Sequence, residues 1–172
     1  MKKFCLAILC VASLLCGCGS SEPTTEFKAV ATTQDVMESL VAHMAQEVWN
    51  SVSVEIDKDG VHEHKPQNKD EWQEVAYAAR GLAESSSLLL YEGRLEDQGD
   101  WKQYIEDLTA TSLVAAKAAD DQDPDALMQA GGDIYEVCTK CHEAYLEKVQ
   151  LKRTGGVAEP APAIPAPGAP KE

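Results

Sequence analysis

The sequence predicts an all-α fold: an antiparallel up-down four-helix bundle between a disordered N-terminal tether and a Pro/Ala-rich C-terminal tail. Three observations carry that expectation. Between residues 32 and 153, four stretches repeat apolar side chains at helical spacing. The connections between them are short or moderate and hold turn residues, which suits antiparallel neighbours. β-branched runs are confined to Val52, Val54 and Ile56, so no sheet is expected.

Residues 1–17 begin Met1-Lys2-Lys3 and continue as an apolar run too short to span a bilayer. This is the order of a secretory leader. Its end, Leu15-Cys16-Gly17-Cys18, has the form of a bacterial lipoprotein signal, with Cys18 lipidated and first in the mature chain. An ordinary signal cut a few residues later is the alternative. Gly19 provides no Asp-type retention signal for an inner membrane, which favours an outer one. Residues 18–31 then form a tether, 32–153 the helical domain and 154–172 the tail. The tail is Gly-Gly followed by a Pro/Ala-rich run, a composition that buries nothing.

The first helix is expected to begin near Thr32 or Thr33, where Thr32 and Asp35 resemble a capping box. Its stripe is Met37, Leu40, Val41, Met44 and Val48. The end is less defined, because Val52, Val54 and Ile56 alternate. Asp57-Lys58-Asp59-Gly60 is a turn signal, with too few acids after it for a calcium loop. The second helix starts after Asn68 and buries Trp72, Val75, Ala76, Ala79, Leu82, Ala83, Ser86, Leu89 and Leu90. A loop with Gly93, Arg94 and Gly99 follows. The third opens at Asp100 and buries Trp101, Tyr104, Ile105, Leu108, Ser112, Ala115, Ala116 and Ala119. The fourth has Asp123 as N-cap and Pro124 at its first position. Its stripe is Leu127, Gly131, Ile134, Cys138, Cys141, Tyr145 and Val149.

That last stripe contains Cys138-Thr139-Lys140-Cys141-His142, which reads C-x-x-C-H. Thiols at i and i+3 lie one above the other on a helix. Each can add to one vinyl group of a haem, giving haem c held by two thioethers, and the adjacent His142 can reach the iron as proximal axial ligand. Zinc or dithiol chemistry is the competing reading. A structural zinc site needs four ligands, and no second Cys pair accompanies the first. His62-Glu63-His64 could lend imidazoles but lies far off in a polar segment. A thioredoxin-like centre requires a β-α-β setting, and both flanks here read as helical. The compartment implied by the leader agrees with haem attachment. Cys5, Cys10 and Cys16 leave with the leader, Cys18 takes lipid, and Cys138 and Cys141 take haem, so no thiol remains for a disulfide.

Gly131 and Gly132 stand inside the fourth helix, each costing ~1 kcal/mol relative to alanine. Close approach of a flat macrocycle and close helix–helix packing both account for them.

The run Gly131-Gly132-Asp133-Ile134-Tyr135-Glu136-Val137-Cys138 through Tyr145, at the end of a fourth helix, resembles the cytochrome c′ family; the resemblance extends over most of residues 33–150 as pattern. It implies a periplasmic monohaem protein whose distal side is set by the first helix. In that family a Leu or Phe there leaves the iron five-coordinate and open to nitric oxide or carbon monoxide, whereas a Met gives low-spin iron suited to electron transfer. The first helix offers Met37, His43 and Met44. In a regular α-helix Met37 and Met44 share a face about 10 Å apart along the axis, and His43 points elsewhere. Met-ligated relatives often carry a second Met seven residues after the ligand, which matches Met37 as distal ligand and Met44 as packing. Met44 as ligand, and no protein ligand at all, stay open. Two positions depart from the family: Leu146 stands where a basic residue is common, and Thr33 where an Arg often meets a propionate. Arg80 and Arg94 are substitutes for that role, read otherwise as solvated surface residues.

The formal charge of −14 becomes −16 when Lys2 and Lys3 leave with the leader. An acidic surface argues against nucleic acid and suits a redox partner with a basic docking patch. The expectation is a non-enzymatic electron-transfer cytochrome that meets the membrane through lipid alone, with a homodimer left open. A gas-binding or scavenging haem protein is the second reading, and a non-redox assembly lipoprotein the third.

Overall fold

The computed structural model describes residues 28–153. The leader, Cys18, most of the tether and the tail lie outside the described residues. Four helices and one two-stranded antiparallel hairpin make up the described chain.

The first helix, α1, runs without interruption through Thr33–Val36, Met37–Val41 and Ala42–Asn50, the middle stretch being a π turn. Thr32 and Asp35 form the expected capping box: the Thr32 hydroxyl accepts from the Asp35 amide, and the Asp35 carboxylate accepts from the Thr32 amide.

The absence of a sheet was the expectation that fails. Ser53–Asp57 (β1) and Gly60–His64 (β2) form a hairpin, with Glu55 opposite His62 and Asp57 opposite Gly60. Alternating Val54 and Ile56 before a turn, and Val61 after it, set it up. Asp57 Oδ1 accepts from the amides of Asp59 and Gly60, at 2.8 and 3.1 Å. Gly60 takes φ 137°, a conformation that excludes other residues without strain. Val54, Ile56 and Val61 all remain exposed, so this hairpin buries no core.

Helix α2 is Lys69–Ser87, continued by a 3₁₀ turn at Leu88–Leu90. Asn68 Oδ1 caps its start through the amides of Asp70 and Glu71, both at 3.0 Å. Helix α3 is Asp100–Asp120, and α4 is Pro124–Arg153 with Asp123 capping Ala126 at 3.0 Å. The expected stripes of α2 and α3 are buried, apart from Leu90 and Tyr104, which are half-buried.

Each helix runs opposite to the one before it. Met44 lies beside Gly81, while Ala31 ahead of α1 meets Arg94 beyond α2. Arg80 pairs with Asp120, and Ser86 bonds Thr109. A tight turn at residues 121–123 joins α3 to α4, and Tyr104 meets Tyr145 at the far end of that helix pair. Helices α2 and α3 share the largest interface, built on small buried residues such as Ala76, Ala79, Ser112 and Ala115 that let the backbones approach. The interface of α1 with α4 is far thinner and runs along Ala42–Asn50.

The reading as a surface residue holds for Arg80 and fails for Arg94. Arg80 is exposed but paired with Asp120. Arg94 is 4 % exposed, donates Nε to Ala31 O at 3.1 Å and Nη1 to Leu88 O at 2.8 Å, and lies over the Tyr91 ring. Its guanidinium is used inside the protein, because three backbone segments converge there.

Candidate functional site

Helix α4 holds Cys138, Cys141 and His142 half-buried, with both cysteines against the hydrophobic core. Both thiols are free. Burial pushes the Cys138 thiol up to about 12 and the Cys141 thiol up to about 11. Zinc sites and thioredoxin-like centres need the thiolate, which electropositive surroundings favour. This apolar setting does the opposite and suits a neutral thioether. Among the described residues, no three His, Cys, Asp or Glu side chains gather to hold a metal ion.

His142 Nδ1 is buried and has no hydrogen-bond partner. Desolvation holds the imidazole below its usual pKa and so in its neutral form, the form that binds metals. A buried polar nitrogen without a partner costs about 1–3 kcal/mol. The residues therefore fit a group that accepts two neutral sulfur links and one nitrogen ligand on the same helix face.

Gly131 and Gly132 are separated by their surroundings. A Cβ on Gly131 would stand 3.3 Å from Trp49 Cδ1, and Trp49 Nε1 donates to Gly131 O at 2.9 Å. Close helix–helix packing accounts for that glycine. Gly132 has no protein atom within 4 Å of the same position and is exposed, so packing against another helix does not account for it.

The π turn changes the relation of the two methionines. One extra residue in a turn rotates all that precedes it by about 100°. Its mark in the burial pattern is Val36 and Val41, both buried and five residues apart. In an unbroken α-helix Met37 would share the face of Met44. With the π turn, helical geometry instead puts Met37 in line with Ala45 and Trp49, of which Trp49 bonds Gly131 of α4, while the α1–α4 interface itself lies further along, at Ala42–Asn50. Met44 faces α2, where its sulfur lies 3.1 Å from where a Gly81 Cβ would be. It also lines a cleft of about 430 Å³ with Leu40, Gly81, Leu88 and Tyr91.

Axial level separates them again. From the Trp49–Gly131 hydrogen bond, Met37 lies twelve residues back along α1 and His142 eleven residues forward along α4. At the helical rise both are roughly 17 Å from the bond, on antiparallel helices, and so at one level. Met44 is only about 8 Å from it, well short of His142. Met37 is half-buried against the core, and His43 is exposed as expected.

A group around Tyr145 was not legible in the motif. Tyr145 donates its hydroxyl to Asp97, whose other oxygen accepts from the amides of Gly99 and Trp101. The hydrogen bond from Tyr145 holds the Asp97 carboxyl below its ordinary value and pushes the phenol up to about 12. Trp101 and Tyr104 meet the Tyr145 ring edge-on at 5.1 and 6.3 Å, and Lys148 lies over it at 4.7 Å.

No protein-family model, curated protein or solved structure matches this chain.

Proposed function

We propose that the chain is a membrane-tethered monohaem c-type cytochrome that transfers electrons. The reading places it with the cytochrome c′-like proteins, as an antiparallel four-helix bundle with haem on its α1–α4 side. One observation carries it: Cys138, Cys141 and His142 lie half-buried in C-x-x-C-H order on one helix, with a buried imidazole nitrogen lacking a partner. Cys138 and Cys141 hold the porphyrin covalently, His142 is the proximal ligand and Met37 the distal one. Bound haem supplies the reversible one-electron couple of its iron, and Met–His ligation raises the potential of that couple. The protein's part is to hold two axial side chains at one level, keep water away and fix the dielectric around the iron.

What favours low-spin iron over the gas-binding alternative is the level of Met37, which helical rise puts with His142, while Met44 is taken up beside Gly81 of α2. The absorption spectrum of the haem-loaded protein, oxidised and reduced, tests this. Low-spin Met–His bands are expected. A five-coordinate high-spin spectrum would overturn the assignment of Met37 and favour binding of nitric oxide or carbon monoxide.

Attachment through lipid on Cys18 completes the reading. Among the described residues no helix is long and apolar enough to cross a membrane. Cys18→Ser should release the protein from membranes in fractionated cells, and persistence in the membrane fraction would contradict lipidation there.

A further inference from the structure

The two segments that carry the axial candidates are both tied to one loop, the stretch between the Leu88–Leu90 turn and α3. On one side, buried Arg94 bonds Leu88 O and Ala31 O, and Ala31 stands just ahead of α1. On the other, Asp97 accepts from Tyr145, one turn beyond His142 on α4. Loop and α3 are themselves locked together, since Asp97 caps Gly99 and Trp101, and Trp101 Nε1 donates to Leu89 O at 3.1 Å. The chain of bonds thus runs Ala31–Arg94–Leu88, through the loop, to Asp97–Tyr145. The direct α1–α4 interface lies along Ala42–Asn50, away from the level of Met37 and His142.

We infer that this loop is a spacer that sets the separation of the Met37-bearing and His142-bearing helix segments, with Arg94 and the Asp97–Tyr145 pair as its two positioning contacts. The inference rests on the haem reading above. Positioning residues of this kind act through the ligands they place. Were the spacing to relax, Met37 would be held less firmly at the level of His142, and an external ligand would compete more easily for a haem bound there. The apparent affinity of such a ligand scales with the fraction of molecules whose distal position is open.

Tyr145→Phe is the cleanest variant. It keeps the ring against Trp101, Tyr104 and Lys148 and removes only the bond to Asp97. Arg94→Lys loosens the other side, and Met44→Leu serves as a control that changes α1–α2 packing alone. In the haem-loaded protein, imidazole binding followed by absorption should tighten about tenfold in Tyr145→Phe and in Arg94→Lys, and stay unchanged in Met44→Leu. In the thiol form of the full chain, amide exchange across Cys138–Lys148 should speed up about tenfold in Tyr145→Phe while Leu127–Ile134 is unaffected. Faster exchange with unchanged imidazole affinity would reduce the pair to a structural tie and overturn the spacer. Unchanged exchange would overturn the tie itself. A protein that carries no haem by mass defeats the functional reading, while the exchange measurement still decides the tie.

Discussion

The α2–α3 side and the α1–α4 side of this protein are built on opposite principles. Between α2 and α3, small residues repeat without interruption, every expected core position but Leu90 and Tyr104 is buried, and side-chain hydroxyls find partners such as Ser86 with Thr109. Between α1 and α4 the helical repeat breaks at Met37–Val41, the interface is thin, and a buried nitrogen of His142 has no partner. One side is optimised for packing. The other leaves polar and sulfur groups in an apolar wall, which stability alone does not reward. The contrast is the reason to test the α1–α4 side for function first.

Deleting Ser39, an exposed residue inside the π turn, gives the largest expected effect. Removing one residue restores an unbroken α-helix and swings Met37 back to the face of Met44. The haem-loaded variant should turn high-spin and bind carbon monoxide, as should Met37→Leu, whereas Met44→Leu should keep the parent spectrum. A low-spin spectrum after the deletion would show that the π turn does not aim Met37.

On the packed side, Leu82→Ala should cost about 3 kcal/mol in denaturant unfolding, because Leu82 is fully buried and its loss leaves a cavity in the core. Met37→Leu should cost under ~1.5 kcal/mol, being conservative in volume. The comparison breaks if the two losses are equal.

The paired glycines divide more finely. Gly131→Ala forces Trp49, pinned by its bond to Gly131 O, and should lose about 1 kcal/mol net. Gly132→Ala meets open space and should gain about 0.5–1 kcal/mol of helix propensity. Thermal unfolding distinguishes a rise from a fall.

The smallest effect concerns acid. The folded protein holds Asp97 below its ordinary value of 3.8, chiefly through the Tyr145 hydroxyl. The unfolded chain therefore binds this proton first, and the stability from the pair is present above that value and lost as pH falls through the lowered one. Asp97→Asn should lower stability slightly at neutral pH, with the difference from the parent vanishing as pH falls, so that the acid limb is flatter. An unaltered acid limb would mean that the pair carries no proton linkage.

Much of this was legible in the sequence, for identifiable reasons. Capping signals fixed the starts of α1, α2 and α4 at Thr32, Asn68 and Asp123, because side-chain oxygens that satisfy the first amides are local features. The stripe of α3 was readable because nothing interrupts its repeat. The hairpin was missed because its exposed Val54, Ile56 and Val61 bury nothing, so periodicity carried little weight against a helical surrounding. The π turn was missed because no residue in Met-Glu-Ser-Leu-Val breaks a helix; only the five-residue gap between Val36 and Val41 betrays it. Arg94 and the Asp97–Tyr145 pair span 63 and 48 residues, and a single sequence gives no sign of such partners.

The central claim is covalent porphyrin on α4, and mass spectrometry of the denatured mature protein from a haem-maturing host tests it most directly. The prediction is a gain of one haem that survives denaturation and maps to the peptide containing Cys138 and Cys141. A peptide with both sulfurs unmodified would contradict it.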